Sequence, residues 1–123
     1  MSEGTVGLTL LLLTLVLLPA VCVFVTRQAA EGSIGRNAAA GIRTRHTQAS
    51  DGAWIAGHAA ALPVVRRMRL VAVAGILAAV GAHLTIGGQA GPVTAFGALV
   101  VQTVVLLRSA AVANRAARLV IGG

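Results

Sequence analysis

Eight residues between positions 37 and 58 carry the most varied polar chemistry of the chain: Asn37, Gly41, Arg43, Thr44, Thr47, Ser50, Trp54 and His58. Arg43 offers a planar fork of donors that suits phosphate or carboxylate. Gly41 lets the backbone turn or approach a ligand closely. Thr44, Thr47 and Ser50 add hydroxyls, and Asn37 both donates and accepts. Together they make a candidate anion-binding cradle, with Arg36 and Arg45 beside it. A second reading stands next to it: the same groups fold the segment on itself, Arg43 capping a helix end, Ser50 and Asp51 capping the following helix, Asn37 closing a turn. Trp54 reads as an interfacial anchor before a stacking platform.

Metal chemistry finds little support. His46, His58 and Asp51 match no standard zinc spacing and lack a fourth ligand, so no metal and no cofactor is expected. His83 stands alone and is expected to hydrogen-bond a neighbouring helix. The single cysteine, Cys22, lies in an apolar run and reads as a packed, inert thiol.

The elements that hold these residues follow from composition. A chain of 123 residues with 57% hydrophobic side chains, 11% charged ones and a mean hydropathy of +0.88 carries more apolar surface than a soluble domain of this size buries. Lipid supplies the remaining burial, and the expected fold is an all-α integral membrane protein. The net charge of +7 comes from ten arginines set between and beside long uncharged stretches, so it points to topology and not to nucleic acid.

Residues 4–26 contain no charged side chain and predict a first span over about 5–26. Glu3, the absence of a preceding Lys or Arg and the length of the run favour a retained helix over a signal peptide. Pro19 inside it calls for a neighbouring group to take up the carbonyl it frees. A second uncharged stretch, residues 70–107, is too long for one crossing and is broken by Gly87, Gly88, Gly91 and Pro92. It divides into spans at about 69–86 and 92–111. Residues 27–68 form the connection, with an interfacial helix expected after Ser50 and Asp51. One long helix running from Asp51 into the second span is the alternative, kinked at Pro63.

Orientation follows from arginine placement. Seven arginines lie between the first two spans, and Arg108, Arg115 and Arg118 follow or close the third, while the amino terminus and the glycine turn have none. The amino terminus is then outside and the carboxyl terminus inside. Thr9, Thr14, Thr94, Gln102 and Thr103 are expected to hydrogen-bond across helices. Ala74, Ala78 and Ala82, with Gly75 and Ala79 alongside, make a small-residue stripe expected to serve a homo-oligomer, which Gly75→Leu or Ala78→Leu would weaken.

The ordered series Asn37, Gly41-Ile42-Arg43-Thr44, Thr47, Ser50, Trp54 and His58, followed by two spans, resembles the SdpI family of bacterial membrane proteins. Two departures stand out: a single span precedes the series, where the founding member has more, and Arg45 occupies a position where proline is expected in relatives. The resemblance implies a multi-pass protein of the bacterial cytoplasmic membrane, without enzymatic activity, acting in immunity or response to membrane-active peptides or envelope stress. It implies a protein partner at the cytoplasmic loop, in a bilayer with anionic lipids. A lipid-headgroup-binding enzyme is the alternative, opposed by the scarcity of acids for a magnesium site: Glu3, Glu31 and Asp51 are the whole set. An accessory subunit of a larger membrane complex is a further alternative, whereas a proton-coupled transporter lacks an acid inside any span.

Overall fold

Long apolar runs become helices in lipid, because backbone N–H and C=O groups there find no water to bond. The computed structural model, which describes residues 3–122, consists of three: α1 (Glu3–Ala30), α2 (Asp51–Thr85) and α3 (Ala90–Gly122). All three are long and apolar enough to cross a membrane. At about 1.5 Å per residue each exceeds the roughly 30 Å of hydrocarbon. The helices therefore overshoot the spans drawn from hydropathy, since loss of apolarity does not by itself end a helix.

No separate interfacial helix forms among the described residues. Residues 51–85 are one helix, so the single-helix alternative holds and the expected break does not. The start is as read: Ser50 has extended backbone angles and its Oγ accepts the Ala53 N–H at 3.0 Å. The reason for the continuity lies in packing. Ala53, Trp54, Gly57, His58, Ala61, Val65, Met68, Ala72, Gly75 and Ala79 are buried at three- and four-residue spacing straight past Pro63. Pro63 itself points outward, so the buried stripe is uninterrupted.

The α2–α3 connection is the expected turn. Gly87 and Gly88 take φ of +79° and +57°, and the Gly87 N–H reaches back to Ala82 O. Past it, α3 returns along α2 with Ala95, Gln102, Ser109, Ala113 and Ala117 buried. The two helices touch closely where glycine permits it. A Cβ on Gly75 would lie 2.6 Å from Ala98 Cβ, and one on Gly57 would lie 2.9 Å from Ala113 O. Gly75 and Ala79 thus pack inside the chain, not toward a second copy, while Ala74 and Ala78 are exposed.

α1 completes the bundle through Leu8 and Leu15 against Ala79 and Ala95, and through Val23 against Val65 and Met68. A polar clasp joins all three helices. Pro19 has no N–H, so Leu15 O, four residues earlier, lacks its helical donor. Gln102 Nε2 supplies one at 3.1 Å and donates also to Met68 O at 3.2 Å. The threonines expected to bridge helices do not. Thr9, Thr14, Thr94 and Thr103 each donate to the carbonyl four residues back in their own helix, the nearest acceptor for a short hydroxyl. His83 packs its Cβ against Gly91 and its buried Nδ1 has no partner among the described residues, contrary to the expected inter-helix bond.

Gln102→Leu keeps the volume class and removes both donors. It is expected to lower stability by about 1 kcal/mol, the size of measured inter-helix hydrogen bonds in membranes, and to do so less when Pro19→Ala restores the α1 donor. Unfolding of both variants in mixed micelles checks this; equal losses in the two backgrounds would separate the clasp from Pro19.

Candidate functional site

The connection between α1 and α2 is folded by its own polar groups. After Ala30 the chain leaves α1 through Gly32 at φ +82°, with the Ser33 and Ile34 N–H groups both donating to Gln28 O. The Ala38 N–H closes a turn on Gly35 O, with Asn37 inside it. Arg36 then ties the segment to the start of α2: its Nε meets Asp51 Oδ1 at 3.0 Å and its Nη1 donates to Gln48 O at 3.1 Å.

Trp54 and His58, one helical turn apart on α2, form the floor of the loop. The Trp54 indole N–H donates to Ile34 O at 2.8 Å, and the ring is almost wholly buried. Gly41 sits on that ring with φ +112°; a Cβ there would fall 2.7 Å from the indole edge and 3.1 Å from His58 Nε2. His58 Nε2 accepts the Ile42 N–H and its Nδ1 donates to Trp54 O, both at 2.8 Å. Since a peptide N–H only donates and a carbonyl only accepts, the imidazole is neutral with its proton on Nδ1.

Thr44 and Thr47 bond reciprocally: each hydroxyl accepts the other's N–H, at 2.9 and 3.2 Å, and the Thr47 hydroxyl, fully buried, donates to Ile42 O at 2.8 Å. Thr47 Cγ2 rests where Gly57 leaves room. His46 Nδ1 lies 3.0 Å from Asn114 Oδ1 and fastens the loop to α3. Asn114 was not singled out by sequence; the available signal was an asparagine inside a helix, a position it disfavours unless its amide is used.

The eight sequence-selected residues therefore gather in one place but divide in role. Thr44, Thr47, Ser50, Trp54 and His58 direct side-chain polar groups into the loop's own bonds, and Gly41 supplies the close approach. Arg43 lies on the outside, its Nη1 donating to Arg36 O and Ala38 O, not to a helix end. Asn37 and Arg45 are exposed, and neither side chain has a partner among the described residues. His46, His58 and Asp51 are each engaged elsewhere, and no group of three potential metal ligands occurs among the described residues.

With this geometry in view, comparison with known families is decisive. The model of the SdpI/YfhL protein family matches residues 33–113. The chain belongs to that family. No curated protein and no solved structure matches it. The SdpI/YfhL match begins three residues after α1 ends and runs through the loop, α2, the glycine turn and most of α3. The loop and the α2–α3 hairpin on which it is built are thus the family's portion of this multi-pass membrane protein, and α1 lies outside the match.

His58 belongs to the part of α2 before Arg66, Arg67 and Arg69, ahead of the uncharged stretch of residues 70–107. Burial pushes its imidazole below the ordinary value of 6.5, and the bond to Trp54 O offsets this in part. A depressed histidine favours the folded loop above its ordinary pKa, and the benefit disappears as pH falls through the lowered value. Acidification is therefore expected to expel the Ile42 N–H and change the emission of Trp54, whose ring centroid is 4.2 Å from the imidazole. A fluorescence titration should place the midpoint below 6.5; a midpoint above it would show that the imidazole is charged in the native loop.

Proposed function

We propose that the protein is a non-enzymatic SdpI-like membrane protein that protects against, or responds to, membrane-active peptides or envelope stress, through a cytoplasmic anion-binding loop. The observation that carries the reading is the division of charge within the loop. Arg36 is paired with Asp51, whereas Arg43 and Arg45 are exposed, as is Asn37, with no acidic partner among the described residues. The internal hydrogen bonds hold these donors on a preformed frame, which lowers the entropy lost on binding an anion. Thr44, Thr47, Ser50, Trp54 and His58 serve as that frame, and Gly41 lets it close.

In the same reading the amino terminus is outside, the arginine-bearing loop and the end of α3 face the cytoplasm, and exposed Ala74 and Ala78 are the surface through which copies of the chain associate. Deletion of the gene is expected to raise sensitivity to cationic amphipathic peptides. Restoration by the unaltered chain, but not by an Arg43→Gln, Arg45→Gln double variant of equal abundance, supports the loop's part in it. Unchanged sensitivity on deletion would overturn the protective role.

A further inference from the structure

Beneath the loop lies an apolar cavity of about 200 Å³, walled by Val21 and Val25 of α1, Gly41 and Ile42 of the loop, and Val65 and Leu106 of the hairpin. Three of its polar groups are already engaged. The Thr26 hydroxyl donates to Cys22 O at 2.7 Å, the Ile42 N–H to His58, and Ile42 O accepts from Thr47. The remaining wall is mostly carbon, so the guest it suits is apolar.

Position and charge narrow the guest. Val25 and Thr26 immediately precede Arg27, the first charge after the long uncharged stretch, so the cavity lies just below headgroup level. Val21 is 58% exposed, which leaves a side opening toward the bilayer. The volume falls below the roughly 300 Å³ at which pockets for drug-sized molecules begin, and it accommodates a segment of chain better than a headgroup. Above it, Arg27 is neutralised by Glu31 at 3.1 Å, but Arg43, directly after Ile42, and Arg45 have no acidic partner among the described residues. That surplus positive charge repels a cationic peptide and attracts an anionic headgroup.

We propose that this cavity is a binding site for one acyl chain of an anionic phospholipid, whose headgroup is held by Arg43 and Arg45. The proposal rests on the anion-binding reading of the loop and names its anion. The lipid closes the gap between α1 and the family's hairpin, so the loop senses the charge of the inner leaflet through a molecule lodged under it.

The only tryptophan of the chain makes the test direct, because the Trp54 ring packs against Gly41, which lines the cavity. The protein is reconstituted in phosphatidylcholine nanodiscs containing a minor share of phosphatidylglycerol or phosphatidylcholine brominated high on the acyl chain. Brominated phosphatidylglycerol is expected to quench Trp54 at about one-thirtieth the share that brominated phosphatidylcholine requires, the preference that two interfacial arginines provide. Ala40→Leu, which fills the cavity from the loop side, should abolish quenching by both lipids, and Val25→Phe should do the same from α1 if the first variant disturbs the loop. The Arg43→Gln, Arg45→Gln double variant should remove the preference and leave the quenching. A phosphatidylglycerol preference that both filling variants leave intact overturns the cavity. Equal quenching by the two lipids that still vanishes in the filled variants overturns the anion-binding reading and the headgroup contact with it.

Discussion

Gly41→Ala is expected to unseat the loop while the three helices stay formed. At φ +112° the backbone lies where residues with a Cβ are strained by about 1–3 kcal/mol. The new methyl would also sit 2.7 Å from the Trp54 ring edge and 3.1 Å from His58 Nε2. The ring cannot retreat, because its indole N–H is bonded to Ile34 O and the residue is buried. Overpacking of this kind adds about 1–3 kcal/mol, so a loss near 3 kcal/mol in loop stability is expected. The Ile42 bond to His58 and the Thr47 bonds that follow it should fail together, since they share one short segment. Proteolysis between residues 31 and 50 should accelerate more than a hundredfold if cleavage tracks the open population, with little change in helical circular dichroism. A rate equal to that of the unaltered chain would mean the loop does not rest on Trp54.

Gly75→Leu should damage the fold itself. A Cβ at Gly75 lies 2.6 Å from Ala98 Cβ and 3.7 Å from Leu15 Cδ1, so the rest of a leucine side chain has no space between α2, α3 and α1. Helices in lipid gain little from apolar contact alone and depend on close approach of this sort. Separating them would also pull Gln102 away from Leu15 O and Met68 O, which lie on the two partner helices. A loss of about 3 kcal/mol or more is expected, measured by unfolding in mixed micelles. Gly81→Leu is the control: nothing stands within 4 Å of a Cβ there, and stability should be nearly unchanged. Equal losses at the two positions would show that close packing at Gly75 is not the cause, since leucine is the better helix former at both.

Much of this architecture was legible from composition and spacing. Three apolar stretches and a glycine turn at residues 87–88 require nothing beyond the length of a bilayer crossing and the φ freedom of glycine. Ser50 as an N-cap was equally readable, because its hydroxyl acts on an N–H three residues away. Pro19 announced that Leu15 O would need a donor, but not that Gln102 would provide it from α3, 87 positions along the chain. The residues of the loop were picked out by type and order, while their division into frame and outward-facing donors was not.

The sequence by itself determined that this chain is a helical membrane protein, where its helices begin and turn, and which segment holds its polar chemistry. These follow from local rules: hydropathy, caps and backbone freedom act within a few residues. Tertiary structure alone decided that α2 runs unbroken past Pro63, that Gly75 serves packing within the chain, that the threonines close on their own helices, and that His58, Trp54 and Gly41 meet beneath Ile42. Each of those depends on which of several chemically equivalent partners comes within hydrogen-bond or van der Waals reach, and only the packing of three helices and one loop against each other settles that choice.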